Sequence, residues 1–333
     1  LLLTAPLPPT TGFGSAVKNV GELRNDGLEI TLNSTNISTK DFRWQTSFNV
    51  SFNKNQITAL NEGQTNISSI TPYVSQYGQP LYIAEVGRPA GMMVGYIWEG
   101  NYQYDDFDSP SPGVYILKPN LSGNGAVRNT IQPGDIKYRD LNGDGTMTTA
   151  DITIIGRGQP LHIGGLSNNF SYKGFDLGIF LQWSYGNNVY NANRLLLEGN
   201  SNGYANINQF KSYVNRWTPD NPTNANYRTR GQGPIGYHSS RVVEDGSFLR
   251  LKTVYLGYNV PLKLTKRAYM SALSIFASAQ NLATWTKYSG LDPEVSVRST
   301  VTTGTNGGVL TPGYDYSSYP KAPVFTIGIK GSF

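Results

Sequence analysis

In two segments of the chain, apolar and polar residues alternate, so that an extended backbone would place them on opposite sides. Residues 42–53 read FRWQTSFNVSFN, and residues 175–186 read FDLGIFLQWSYG. A hydrophobic period of two predicts β-strands that have one apolar and one polar face. Both exceed the roughly five or six residues usual in soluble sheets and match the ~9 to 11 residues that a tilted strand needs to cross a bilayer.

The apolar face of these two strands is predicted to contact lipid, and the polar face to line the interior of a barrel. The lipid-facing residues of the first strand are Phe42, Trp44, Thr46, Phe48, Val50 and Phe52. Those of the second strand are Phe175, Leu177, Ile179, Leu181, Trp183 and Tyr185. The opposite faces carry mainly Ser, Asn, Gln, Asp and Gly, with Phe180 as an aromatic exception.

Five more strands are predicted, and the connections between the strands alternate in length. The further strands cover residues 23–36, 161–173, 247–260, 273–284 and 322–333. Long connections at 58–160, 187–246 and 285–321 alternate with short ones. Because outer-membrane barrels have short periplasmic turns and long extracellular loops, we expect the three long connections to be extracellular loops. The whole chain, 1–333, is thus predicted to be an all-β, transmembrane antiparallel β-barrel segment.

The composition agrees with this fold class and excludes several functions. The chain has 37 Gly, 22 Tyr and 13 Phe, which favour turns and strands. Its mean hydropathy of −0.36 is compatible with a barrel, whose strands alternate lipid-facing and interior side chains. The absence of cysteine excludes disulfides and thiolate metal sites. The 27 Lys and Arg residues are scattered, so nucleic acid is not an expected partner.

Five blocks, in a consistent order, resemble the SusC/RagA family of TonB-dependent outer-membrane transporters. They are NVGELRNDGLEITL at 19–32, GDIKYRDLNGDGTMTTAD at 134–151, SNNFSYKGFDLGIFLQWSYGNNVYN at 167–191, FLRLKTVYLGYNVP at 248–261 and QNLATWTKYSGLDPE at 280–294. The resemblance implies a barrel of about 22 strands, the size class with a plugged lumen, of which this chain would supply the C-terminal strands. It also implies location in the bacterial outer membrane as a multi-pass β-barrel.

The same resemblance implies import of a nutrient, an oligosaccharide or a peptide, without covalent chemistry. The implied partners are a SusD-like surface lipoprotein and TonB, which would be contacted by an N-terminal region that this chain lacks. The chain starts LLLTAPLPP, with neither an initiator Met nor a signal peptide, and we expect it to be a segment of a longer polypeptide. No nucleophile elbow, P-loop or dinucleotide fingerprint occurs, so no enzyme activity is expected.

Residues 140–151, DLNGDGTMTTAD, match the pattern of a calcium-binding loop. Asp140, Asn142 and Asp144 occupy positions 1, 3 and 5, and glycine follows at position 6. Thr146 would contribute its carbonyl at position 7, and Asp151 replaces the usual Glu at position 12. We expect a structural Ca²⁺ here. The alternative is a pair of solvated Asn-Gly and Asp-Gly turns without an ion.

Aromatic residues suggest two further roles. Four of them lie together beside acidic residues in the first long connection, as Tyr96, Trp98, Tyr102 and Tyr104, and they could contact a substrate or partner protein. The alternative for these four is a small loop core. Three tryptophans, Trp44, Trp183 and Trp285, are predicted to mark the membrane interfaces. The two histidines, His162 and His238, are expected at the rim or in loops.

Two other functions remain open from sequence. One is a secreted, calcium-dependent glycan-binding or adhesion module, which would need a dry core where a barrel has a lipid-facing belt. The other is a barrel that conducts passively without TonB.

Overall fold

The structure is a computed structural model in which β-strands predominate. It describes residues 2–6, 9–13, 15–19, 21–60, 64–69, 80–199, 207–233, 238–295 and 310–333. The strands are β1 Leu2–Pro6, β2 Ser15–Asn19, β3 Glu22–Ser38, β4 Phe42–Ala59, β5 Asn66–Ser69, β6 Tyr82–Glu85, β7 Met92–Gly95, β8 Trp98–Asn101, β9 Phe107–Asp108, β10 Ile116–Leu117, β11 Ile136–Tyr138, β12 Thr153–Arg157, β13 His162–Tyr172, β14 Phe175–Tyr185, β15 Asn188–Asn191, β16 Val243–Asp245, β17 Phe248–Asn259, β18 Ala272–Thr286, β19 Tyr314–Asp315 and β20 Val324–Ser332.

Helices are few and short. The α-helices are α1 Ala192–Leu197 and α2 Leu262–Thr265. Single 3-10 turns occur at Pro9–Thr11, Tyr104–Asp106, Arg128–Thr130, Thr149–Asp151, Lys211–Asn215, Ser240–Val242 and Lys266–Ala268. Within the described residues, no helix has the length and apolar character to span a bilayer.

Seven long strands form one antiparallel sheet in which chain neighbours are also sheet neighbours. Its order is β3-β4-β13-β14-β17-β18-β20. These are the seven predicted strands, and the predicted antiparallel arrangement is confirmed. β4 continues to Ala59, six residues beyond the predicted end, because Ile57 is buried and still pairs with Leu23 of β3. The tight β13–β14 turn uses Lys173 and Gly174, both at positive φ.

The pairing of the strands aligns their apolar residues, so one face of the sheet is apolar across all seven strands. One row joins Leu28, Phe52, His162 and Tyr185. A second row, at the opposite end, joins Phe42, Tyr172, Phe175 and Tyr258. A mid-strand row on the other face joins the polar residues Asn33, Ser47 and Ser167 with Phe180. The predicted two-faced pattern is therefore a property of the whole sheet.

The separation of the two aromatic rows matches the apolar thickness of an outer membrane. Phe42 and Phe52 lie ten residues apart on β4, which is about 33 Å along an extended strand. At the strand tilt of about 35–45° found in such barrels, this corresponds to a height of about 23–27 Å. The lipid-facing band of an outer-membrane barrel is about 25 Å tall.

The long connections hold the buried cores and contain secondary structure of their own. β5, β6, β7 and β12 form a four-stranded sheet in the first connection. β15 and β16 of the second connection form a three-stranded sheet with β19 of the third. Parts of the predicted loops, residues 61–63, 70–79, 200–206, 234–237 and 296–309, lie outside the described residues.

Side-chain and backbone contacts join the connections into one body at one end of the sheet. Tyr96 of the first connection forms a parallel bridge with Ser239 of the second. A chain of ion pairs then links Arg241 to Glu198, Glu198 to Arg194, and Arg194 to Glu244, with N···O distances of 2.8, 3.0 and 3.1 Å. Two hydrogen bonds run from Ser289 of the third connection to Glu244. We call this assembly the loop body.

Candidate functional site

The four aromatic residues singled out in the first connection have different environments. Tyr96 and Tyr102 are fully buried in separate small cores, and Trp98 packs against the core that contains Tyr96. The prediction of substrate or partner contact is wrong for Tyr96 and Tyr102, because their buried rings offer no face to a ligand. They follow the alternative of a loop core. Tyr104, 37% exposed, is the member of the group whose ring is accessible.

Tyr104 lines a concave pocket of about 390 Å³, which we call the Tyr104 pocket. Its ring centroid is 5.7 Å from that of Tyr115 and 5.4 Å from that of Trp217. The remaining lining residues are Gln132, Pro133, Arg216, Thr218, Pro219, Arg228 and Thr229. The pocket thus combines the first and second connections. Sequence reasoning missed Trp217, because only the tertiary fold brings it to Tyr104.

Trp217 forms a rigid part of this pocket. Its indole N–H donates to the side-chain oxygen of Gln103 at 3.0 Å, and its backbone N–H donates to the carbonyl of Asn226 at 2.9 Å. The ring lies against Gly134, where an added Cβ would stand 2.4 Å from it. Because Gly134 also has φ +88°, glycine meets both the steric and the conformational demand here.

Two arginines, Arg216 and Arg228, line the pocket. Arg228 donates from Nε to Oδ1 of the buried Asp135 at 2.6 Å. Burial raises the pKa of Asp135, although the Arg228 guanidinium opposes the increase. Arg216 stacks on the ring of Tyr213 at 4.7 Å and, within the described part of the chain, pairs with no carboxylate. The guanidinium of Arg216 is therefore available to an anionic ligand.

A second concave region lies on the polar face of the sheet and measures about 600 Å³. Its polar lining includes Asn49, Ser51, Gln182, Ser184, Asn187 and Glu294, and Phe180 and Phe248 add aromatic surface. The buried Arg250 pairs with Asp292 at 2.5 Å and with Glu294 at 3.3 Å. Burial works to raise the pKa of Asp292, but hydrogen bonds from the Glu294 amide and Arg250 lower it overall. The third connection is thereby anchored to the inner wall.

The predicted calcium loop is closed by its own hydrogen bonds. Oδ1 and Oδ2 of Asp140 accept from the amides of Gly143 and Gly145 at 2.6 and 2.8 Å. Asp144 accepts from both the amide and the hydroxyl of Thr146, at 2.8 and 2.7 Å. The hydrogen bonds from Thr146 lower the pKa of Asp144, and the bond from the hydroxyl has the larger effect. The pKa of Asp140 is also lowered, chiefly by a hydrogen bond from the hydroxyl of Ser122.

The last residue of that loop has a capping role. Asp151 is buried and accepts from the amides of Leu141 and Thr148 at 2.9 and 2.8 Å, which brings both ends of the loop together. Asn142 donates to Asp144 at 2.8 Å. In the described part of the chain, no three His, Asp or Glu side chains are gathered as a metal site. Asp140, Asn142 and Asp144 lie in one turn and are engaged by its own hydrogen bonds, and both oxygens of Asp151 already accept backbone N–H groups.

The other predicted residues lie in the sheet or the loop body. Trp44 lies near one end of the apolar face, and Trp183 and Trp285 lie near the other. His162, at the start of β13, accepts a hydrogen bond from the Trp183 indole at 3.1 Å. His238 is buried and shares a 2.8 Å hydrogen bond with the hydroxyl of Tyr190.

Comparison with known proteins gives consistent results for sequence and fold. The chain is 34% identical over its whole length to TonB-dependent receptor P3 of Formosa agariphila, and spans 31% of that relative. It is 28% identical to TonB-dependent receptor SusC of Bacteroides thetaiotaomicron, of which it spans 29%. The structure of the RagAB peptide transporter covers all of the chain with a TM-score of 0.73 and 23% identity, and the chain covers 32% of it. No family model matches the chain.

The fold and the apolar face define a segment of an outer-membrane β-barrel. The particular resemblance is to TonB-dependent receptors, and the chain is SusC/RagA-like along all of its residues. The curated relatives are named TonB-dependent receptors, in agreement with the prediction that the chain is not an enzyme. The chain spans only about a third of the length of the curated relatives it matches.

Proposed function

We propose that this chain is the C-terminal part of the barrel of a TonB-dependent importer that carries an oligosaccharide or a peptide across the outer membrane. The observation that carries the proposal is the seven-stranded sheet with a continuous apolar face bounded by two aromatic rows. Its opposite face is polar and lines a large concave surface, as a solute pathway requires. The names of the similar receptors support the same reading.

Uptake by whole cells tests this proposal. Cells that produce the complete receptor should accumulate a labelled nutrient, and deletion of TonB should abolish the accumulation. A matched strain that lacks the receptor provides the control. Equal uptake with and without TonB would instead indicate passive conduction.

The secreted binding module is disfavoured by the sheet itself. Such a module would bury its apolar face against a second layer. Here Leu28, Phe175 and Leu256, on different strands of that face, remain about half or more exposed, and Leu28 reaches 58%. In the described ranges, no second layer covers them. Lipid contact explains this exposure.

A SusD-like surface lipoprotein is the proposed partner. The support is the resemblance together with the loop body, which presents three connections as one surface at one end of the sheet. Affinity purification of the tagged receptor from native membranes should recover a surface lipoprotein in near-equal amount. Recovery of the receptor alone would contradict this partnership.

A structural Ca²⁺ at residues 140–151 is also proposed. Asp140, Asn142 and Asp144 lie at alternate positions of one turn, and these residues with the Thr146 carbonyl would hold the ion. Asp151 would be a weaker ligand, because two amides already occupy its oxygens.

The substitution Asp144→Asn distinguishes a Ca²⁺-bound loop from an ion-free one. Asn keeps an oxygen for the two Thr146 hydrogen bonds and loses only the acceptor of the exposed Asn142 amide, which water can replace, so an ion-free loop should change little. If Ca²⁺ is bound, the substitution should weaken binding and make the first connection more sensitive to protease, as a chelator does in the unsubstituted receptor. Protease patterns that respond to neither treatment would reduce the motif to a turn.

A further inference from the structure

The Tyr104 pocket has the size and the rigidity of a ligand site. Its volume of about 390 Å³ falls within the roughly 300–1,000 Å³ of small-molecule pockets. Trp217 is held from several sides, and Pro133 and Pro219 stiffen the lining. A site that is ordered before binding loses less conformational entropy when a ligand arrives.

The aromatic residues favour a ring-shaped ligand with apolar faces. The rings of Tyr115 and Trp217 stand at 47° and 53° to the plane of Tyr104. Because Trp217 is buried, Tyr104 and the half-buried Tyr115 form the corner that can receive a face and an edge of a compact ring. Gln132 and Thr218 add an amide and a hydroxyl to the lining, the groups that hydrogen-bond sugar hydroxyls.

The charges favour an acidic ligand. Arg216 holds its guanidinium against Tyr213 without a carboxylate partner among the described residues. Arg228 has one edge engaged by Asp135 and still lines the pocket. A guanidinium fork matches a carboxylate or a sulfate in geometry and charge. Desolvation and the neighbouring Tyr115 raise the pKa of Tyr104, and the charge of Asp220 contributes to the increase. Among the described residues, Asp220 pairs with neither arginine.

The backbone around the pocket argues against an extended peptide. Peptides are commonly bound by pairing with a free strand edge. Here the amides of Trp217, Thr218 and Arg228 already donate to the carbonyls of Asn226, Asn221 and Gly134. The pocket therefore presents side chains to a ligand and leaves these main-chain donors engaged.

We infer that the Tyr104 pocket binds a sugar ring that carries a carboxylate or a sulfate. The inference rests on the proposed import function and deepens it by naming the class of substrate. The ring would pack against Tyr104 and the half-buried Tyr115, and its acidic group would pair with Arg216.

Binding to the complete receptor in detergent tests this inference apart from transport. Calorimetric titrations would use trigalacturonate, a sulfated galactose disaccharide, the neutral galactose disaccharide and an acidic tripeptide. Arg216→Gln should weaken binding of the acidic sugars roughly tenfold or more, since a charged hydrogen-bond pair is lost. Tyr104→Ala should weaken it several-fold through lost ring packing. Lys211→Gln, which removes a nearby exposed charge outside the pocket, should change nothing.

The outcomes separate the inference from the proposed function. Failure of both acidic sugars to bind, or equal affinity with and without Arg216→Gln, overturns the inference. Preference for the acidic tripeptide also overturns it and assigns the pocket to peptides. TonB-dependent uptake that persists in any of these cases leaves the import function standing, whereas loss of TonB dependence contradicts that function independently.

Discussion

Leu181→Arg places a charge on the lipid-facing side of β14. The midpoint between the aromatic rows that contain Phe42 and Phe52 falls at the level of Ser47. Leu181 pairs with Leu166, which pairs with Phe48, so it lies one residue from this midpoint, or about 3.3 Å along the strand. Arginine at the membrane midplane costs about 2–4 kcal/mol. The folding equilibrium should therefore fall about 30- to 700-fold.

The adjacent residue provides the matched control for that substitution. Gln182 lines the polar concave surface beside Glu294, so Gln182→Arg keeps the new charge in water. Its cross-strand partner Arg250 is already neutralised by Asp292 and Glu294, which limits the repulsion between the two cations. Urea titration of the complete receptor in phospholipid vesicles, with heat-modified gel mobility as the readout, should show a large loss only for Leu181→Arg. Equal losses, or a larger loss for Gln182→Arg, would show that the two faces are assigned wrongly.

Three further predictions concern the sheet and the loop body. Gly164→Ala would place a Cβ 2.2 Å from the ring of Trp183, so it should destabilise the receptor by about 1–3 kcal/mol in the same titration. Arg250→Ala leaves the buried Asp292 without its ion-pair partner, so the third connection should become protease-sensitive, with a local cost of roughly 3 kcal/mol or more. The pKa of Asp140 lies below its ordinary value of 3.8, chiefly because a serine hydroxyl donates to it. The Asp140 carboxylate therefore stabilises the loop fully above its ordinary pKa, and this stabilisation is lost as the pH falls through its lowered pKa in the folded loop. Protease protection of the loop should stay constant from about pH 8 to 5 and decline in stronger acid.

The barrel strands were predictable because their signal is local. Alternation at every second residue, as in residues 42–53, reports the two environments of a membrane-spanning strand directly. The end of β4 was missed because Lys54 to Gln56 are polar, and only pairing with β3 extends the strand past them. Polar faces and tight turns carry similarly local signals, as the turn at Lys173 and Gly174 shows.

The loop body was much less predictable, because long-range contacts determine it. Tyr96 and Tyr104 looked alike in sequence, yet one is buried against Tyr138 and the other opens onto a pocket. The difference depends on partners such as Trp217, which lies more than a hundred residues away. No periodic pattern encodes such a contact.

The alternation of lipid and water contact along β14 tests the central claim most directly. The chain contains no cysteine, so single cysteines at residues 175–185 can each carry a nitroxide label, after removal of any cysteine elsewhere in the complete receptor. In phospholipid vesicles, the odd-numbered positions should be accessible to oxygen in the bilayer, and the even-numbered positions to a water-soluble nickel complex. A uniform profile, or one with the two sets reversed, would contradict the assignment of this sheet to the wall of an outer-membrane barrel.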